Sequence, residues 1–153
     1  MKILFVCKGN MFRSQMAEAI AGQIIGQENV MSAGTYTGAL DEPEGLVLKN
    51  LSTIYKSGYQ CFDNFLEFMS QKGLDIGNNK TKKVTDSMIS WADVVVDMAE
   101  DSFNPDFLKS NPKVVHWDIE NNASKFDVVY PDLFQRIREL VSQRKNDFEK
   151  LKR

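Results

Sequence analysis

With 153 residues, 42% of them hydrophobic and 26% charged, the chain has the length and composition of one globular domain, residues 1–153, with a buried core. A net charge of −2 excludes general nucleic-acid affinity, which needs a clustered basic footprint; the basic stretch Arg144, Lys145, Lys150, Lys152 and Arg153 is interrupted by Asp147 and Glu149 and reads as a solvated helix face. The early apolar run is too short for a membrane span or a signal peptide, and two cysteines with a single histidine make neither a disulfide framework nor a zinc set, so a reducing cytoplasm with no membrane partner is the expected setting.

In chain order, Ile3-Leu4-Phe5-Val6 is a continuous apolar run, the signature of a strand buried on both faces. From Ser14 the period changes: Met16/Ala17, Ile20/Ala21 and Ile24/Ile25 recur every four residues, predicting a helix that ends near Gly26 with Ser14 as its N-cap. A second strand is expected over Val30 to Ala33, followed by the turn residues Gly34 and Thr35. Residues 36–60, punctuated by Gly38, Pro43, Gly45 and Gly58, have weak periodicity. Phe62, Phe65, Leu66 and Met69 restore helical spacing up to a stop at Gly73, and Thr85 is placed to cap a short helix through Trp91. Val94-Val95-Val96 predicts a third strand, Asp101 to Leu108 a helix with Pro105 in its first turn, and Val114 to Trp117 a fourth strand. Leu133, Ile137, Leu140, Val141, Phe148 and Leu151 mark a long final helix. Strands alternating with helices predict a three-layer α/β fold, a central four-stranded parallel sheet with helices on both faces. Ligands in that architecture sit outside the carboxyl ends of the strands, where Cys7 stands.

The stretch CKGNMFRS, Cys7 to Ser14, carries the chemistry. A strand end, a tight loop and a helix N-terminus present main-chain N–H groups and a positive dipole end to an anion, and Gly9 and Asn10 tolerate the backbone angles such a loop needs. Arg13 supplies a planar fork matching two phosphate oxygens. A thiol in the same electropositive cradle is expected to ionise below its reference value of about 8.5 and to attack phosphorus. The residue types therefore suit phosphoryl transfer to cysteine, whereas the C-x5-R pattern by itself also arises by chance.

Val6-Cys7-Lys8-Gly9-Asn10-Met11-Phe12-Arg13-Ser14 resembles the phosphate loop of the low-molecular-weight protein tyrosine phosphatases, V-C-x-G-N-x-C-R-S. Ser32-Ala33-Gly34-Thr35, Gly73-Leu74-Asp75-Ile76 with Lys80 to Thr85, and Ala92-Asp93-Val94-Val95-Val96-Asp97-Met98 resemble further segments of that family; residues 36–60 find no counterpart and form an atypical insertion. The resemblance implies Cys7 as nucleophile, Arg13 as clamp, and residues Lys8, Gly9, Asn10, Met11, Phe12, Arg13 and Ser14 as the phosphate-binding loop. It further implies that Ser14 holds the thiolate and that Asn10 and Ser32 support the loop through a polar network. Implied partners are a phosphorylated protein or a small phosphomonoester, with inorganic phosphate or a similar oxyanion in the loop; no metal and no organic cofactor is implied.

Three departures stand out. Phe12 occupies the place of a second loop cysteine, and Gln15 replaces a proline, a minor change at a helix start. The third is larger: where the family carries an Asp-Pro pair whose aspartate is the general acid, this chain reads Asp118-Ile119-Glu120-Asn121-Asn122-Ala123, so Asn121 takes the aspartate's place. An amide cannot protonate a leaving oxygen, and general acid catalysis contributes about 10²–10⁴-fold. Asp118, with Glu120 as alternative, is the candidate replacement. The residues that would flank a phosphotyrosine ring are Ala123 and Ser124 here, and Tyr36, Tyr55 and Tyr59 of the insertion are candidates to replace them. The first expectation is a phosphatase working through a phosphocysteine; the alternative is a phosphate- or phosphoprotein-binding module lacking the acid. The related arsenate reductases need further relay cysteines, and only Cys61 is present besides Cys7, which puts arsenate reduction behind both.

Overall fold

The computed structural model describes residues 1–35, 50–56, 60–100 and 104–151, with the side chains of 54–63 and 148 left aside. Most of the insertion, including Tyr36, Tyr59 and the side chain of Tyr55, therefore lies outside the described residues.

Four strands form one parallel sheet: β1 (Ile3–Cys7), β2 (Val30–Gly34), β3 (Val94–Asp97) and β4 (Val114–His116), in spatial order β2-β1-β3-β4. The register pairs Ile3 with both Val30 and Val94, which puts β1 in the middle, buried at every residue. That position explains its uninterrupted apolar run, because both faces must be dry. Ile3, Phe5 and Cys7 turn toward one core, shared with α1 (Arg13–Ile25), α3 (Gln60–Gln71) and α6 (Phe126–Leu151). Leu4 and Val6 turn toward a second core with Val84, Ile89 and Leu108, from the side of α4 (Asp86–Trp91) and α5 (Asp106–Lys109). The alternation is the period-two geometry of a strand, and each fully buried aliphatic side chain contributes about 1.5–3 kcal/mol. The three-layer α/β expectation matches this arrangement.

Local signals explain most boundaries. Gly26 (φ 96°) ends α1, and Gly73 (φ 79°) turns the chain after α3, where Leu74 N–H donates to Met69 O at 2.9 Å. Thr85 caps α4, its hydroxyl accepting from Met88 N–H at 3.3 Å. Three expectations need correction. Phe12, not Ser14, occupies the N-cap of α1, without a side-chain bond; Ser14 lies inside the first turn with its hydroxyl committed elsewhere. No helix runs through residues 104 and 105: Pro105 is an extended cap (ψ 158°) and α5 begins at Asp106, because the amide of Asn104 is pinned to Asp97 at 2.6 Å. The fourth strand ends at His116, one residue before the expected Trp117, and the last helix starts at Phe126, accommodating Pro131 in its second turn at the loss of one intrahelical bond.

Between α3 and α4 the chain returns to the sheet's carboxyl edge. Gly34 N–H donates to Lys82 O at 2.7 Å and Val84 N–H to Gly34 O at 2.8 Å, so residues 82–84 flank the end of β2. Ahead of them, Leu51 and Ser52 of α2 (Leu51–Lys56) donate their N–H groups to Asn79 O and Gly77 O, at 2.9 and 3.0 Å.

Candidate active site

The central strand delivers Cys7 to the carboxyl edge of the sheet, and six residues later, at Arg13, α1 starts with its N-terminus facing back over the loop. Asn10 makes this tight reversal possible: its φ of 55° is the only positive value at a non-glycine residue among those described. Gly9, expected to share that role, does not adopt a positive φ. Cys7, Lys8, Gly9, Met11, Phe12 and Arg13 line a small open cleft of about 180 Å³, closed on one side by Asn121. A larger recess of about 500 Å³ on α6, lined by Phe134, Gln135, Arg138, Glu139 and Ser142, holds no thiol and no strand-to-helix loop, so chemistry rather than volume identifies the site.

A directional hydrogen-bond chain holds the thiol. Cys7 Sγ lies 3.0 Å from Ser14 Oγ, which accepts from Asn10 Nδ2 at 2.8 Å. With its oxygen receiving that bond, the Ser14 hydroxyl keeps its own proton available to donate to the sulfur. The second hydrogen of the Asn10 amide goes to Ser32 Oγ at 3.0 Å, and Ser32 donates to Glu18 Oε2 at 2.6 Å. Asn10 Oδ1 accepts from the main-chain N–H of Lys82 at 2.8 Å, a donor that cannot be inverted, so the amide orientation is fixed and its NH2 group must face the serines. The side chain of Lys82 is half-buried; burial lowers its pKa from 10.5, an effect that the nearby Glu18 carboxylate partly opposes.

Arg13 is buried, only 2% exposed, with Nη1 donating to Met98 O and lying 3.4 Å from Glu100 Oε1. Met98 is held there by the end of β3. Its N–H donates to Val6 O at 2.7 Å, while the buried Asp97 carboxylate accepts from Ala99 N–H at 2.9 Å and from Asn104 Nδ2. His116 Nδ1 sits 3.3 Å from the same carboxylate. A charged residue ending an otherwise apolar strand is the sequence signal for this brace, unused in the reading of the sequence.

Phe12, counted only as a missing cysteine, is a core residue: 5% exposed, its ring meets Phe65 of α3 edge-on at 5.0 Å between centroids. Cys7, Asn10, Ser14 and Ser32 are thus brought together. Asp118 is not brought into the Cys7 cleft; it is exposed in an adjoining cleft of about 350 Å³ that also contains Asp97, Glu100, His116 and Trp117 and shares Arg13 with the first. Glu120 is exposed in the same loop. Among the described residues no cluster of histidine, cysteine and carboxylate side chains suits a metal ion, and no helix is long and apolar enough to cross a membrane.

A parallel α/β sheet that ends its central strand in a cysteine, followed by an anion-binding loop and an arginine on the first helical residue, defines a class of cysteine-based enzymes acting on tetrahedral oxyanions. The profile of the family described as low molecular weight phosphotyrosine protein phosphatase matches residues 2–62. Arsenate reductase 1 of Staphylococcus haemolyticus is 30% identical over 149 residues, 96% of this chain and 93% of that protein. Among solved structures, a thioredoxin-dependent arsenate reductase of Corynebacterium glutamicum superposes with a TM-score of 0.66 at 25% identity, covering 95% of this chain and 62% of the other, so this chain spans less than two thirds of that protein. A low molecular weight protein tyrosine phosphatase of Bacillus subtilis gives 0.65 at 23% identity, covering 96% and 99% of the two chains. The chain belongs to the low-molecular-weight phosphotyrosine protein phosphatase family, whose fold the arsenate reductases share.

Proposed function

We propose that this chain is a phosphatase that cleaves phosphomonoesters, phosphotyrosine or a related ester, through a phosphocysteine. The observation that carries the reading is the convergence on one cleft of Cys7, its Ser14 donor at 3.0 Å, the N-terminus of α1 and Arg13. In the first step the Cys7 thiolate attacks phosphorus, the P–O bond to the leaving group breaks, and the departing oxygen takes a proton. In the second, water attacks the phosphocysteine, releasing phosphate and restoring the thiolate. Lys8, Gly9, Asn10, Met11, Phe12 and Arg13 form the cradle, with Arg13 on the equatorial oxygens. Asp118 is the assigned proton donor: it shares Arg13's surroundings, and a leaving group that passes over Arg13 into the adjoining cleft meets it. Asn121, on the Cys7 side, offers an amide hydrogen bond to the ester oxygen but no proton. The scheme uses no metal or organic cofactor, and its natural location is the cytoplasm, where the thiol stays reduced.

The identity to staphylococcal arsenate reductases across nearly the whole chain favours a second reading. There Cys7 sulfur bonds to arsenate arsenic with loss of water. Reduction to arsenite takes two electrons, supplied when a second thiol attacks Cys7 sulfur to form a disulfide. Cys61, whose side chain lies outside the described atoms, or an external thiol must provide that second sulfur. Mass spectrometry of the full chain after a single turnover with p-nitrophenyl phosphate, beside arsenate-dependent oxidation of a thioredoxin- or glutathione-class thiol, separates the readings. Phosphate on Cys7 that decays on the turnover timescale supports the phosphatase. Thiol oxidation without such an adduct supports the reductase, and phosphate binding with neither leaves a binding module.

A further inference from the structure

We infer that Gln15 is a positioning residue for Cys7, fixing Asn10 and thereby Ser14 and the thiol, by tying the loop to segment 77–80; this rests on the reading of Cys7 as nucleophile. Gln15 lies in the first turn of α1, on the side away from the Met16–Ala17–Ile20–Ala21 stripe, yet is fully buried at 0% exposure, an unusual place for a glutamine. Its nitrogen lies 3.2 Å from Asn10 O, 3.3 Å from Asn10 Oδ1 and 3.3 Å from Lys80 O. Two of these oxygens are main-chain carbonyls, so the nitrogen must face them and the amide orientation follows. Its oxygen accepts from Asn79 Nδ2 at 3.2 Å.

One buried amide therefore grips both the backbone and the side chain of Asn10, the residue held at φ 55° that orients Ser14 and Ser32. The other end of the clamp is itself anchored. Asn79 O accepts from Leu51 N–H, and Lys80 pairs with Asn50 in an isolated bridge. A displacement of residues 50–52 or 77–80 is thus passed to the phosphate loop through Gln15 rather than absorbed by a sliding apolar contact. A proline here would fill the space of a helix start but supply neither donor nor acceptor.

The test uses the full chain in a Cys61→Ser background, so that one thiol reports. The pH midpoint of iodoacetamide alkylation, its protection by inorganic phosphate, and thermal unfolding are measured for Gln15→Met, Gln15→Ala and Asn79→Ala, with Ile137→Val as a core control. Lys8 and Arg13, the charged side chains lining the Cys7 cleft, and Glu18 behind Ser32 are untouched by these substitutions. Both Gln15 variants should raise the midpoint by about 0.5–1 pH unit and the half-protecting phosphate concentration by about three- to tenfold. Asn79→Ala should move both in the same direction by less, and Ile137→Val should move neither while lowering the melting temperature. Destabilised Gln15 variants with an unchanged midpoint and unchanged protection would reduce Gln15 to packing and overturn the inference. If those variants do not fold, an unmoved midpoint in Asn79→Ala overturns it just as well. Absence of any fast, phosphate-protected thiol in the parent overturns both this role and the nucleophile reading.

Discussion

At the residue scale the site separates what holds an oxyanion from what expels a leaving group. Holding is assigned to Cys7, Arg13 and the loop amides. Cys7→Ser should lower hydrolysis of p-nitrophenyl phosphate by at least about a thousandfold, while phosphate binding, followed by calorimetry, changes by less than about threefold. Expulsion is assigned to Asp118, which lines the adjoining cleft while Asn121 lines that of Cys7. With Asp118 donating, p-nitrophenyl and phenyl phosphate react at similar rates, since protonation levels leaving groups of different acidity. Asp118→Asn should then slow the phenyl ester about a hundredfold more than the nitrophenyl ester, with Glu120→Gln near neutral. A steep dependence on leaving-group acidity in the parent, indifferent to Asp118→Asn, removes Asp118 from the mechanism; Asn121→Asp should then accelerate the phenyl ester.

At the element scale the loop is built by what surrounds it. β1 positions its start, α1 its end, and α3 its flank through the Phe12–Phe65 contact. A cysteine at position 12 would be free for redox chemistry, whereas an aromatic ring fastens the loop to a helix. Phe65 is fully buried, so Phe65→Ala should cost about 3–5 kcal/mol in urea unfolding, the range for deleting a core aromatic ring. A loss below about 1 kcal/mol would show that α3 does not brace the loop. The same scale explains the failed helix expectation at residues 104 and 105. A helix over Asp101 to Leu108 with Pro105 in its first turn was expected, but Asn104 is committed to the Asp97 carboxylate, and that brace presents Met98 O to Arg13.

For the molecule as a whole, the strand order places residues far apart in sequence around one loop: Ser32 within β2, Lys82 before α4 and Met98 after β3. Lys82 ties two of these regions, its main chain to Asn10 and its ammonium near Glu18, and burial lowers its pKa from 10.5. Well below that lowered value the ammonium is charged in the folded and unfolded states alike, and its burial is a constant penalty. Between the lowered value and 10.5 the unfolded chain keeps the proton that the folded chain has lost, so stability rises with pH in that window. Unfolding free energies of the parent minus those of Lys82→Met should therefore increase from pH 7 to about pH 10. A difference that stays flat or falls would mean that burial does not dominate at this lysine.

The sequence by itself determined the sheet, because an unbroken apolar run at Ile3 to Val6 and another at Val94 to Val96 suit strands covered on both faces. It also determined the loop, since a cysteine, an asparagine and an arginine at that spacing form a local motif whose geometry depends on near neighbours. Gly73 and Thr85 were legible for the same reason: a turn and a cap are short-range events. What only the tertiary structure decided is every relation across distant segments. Gln15 and Phe12 looked like loop substitutions of little consequence and are a buried clamp and a core anchor, because their partners, Asn79, Lys80 and Phe65, come from elements more than fifty residues away. Asp118 and Asn121, three residues apart, fall in different clefts. Local composition fixes which groups a loop offers, but which of them face the thiol depends on how β3, β4 and α6 pack around it.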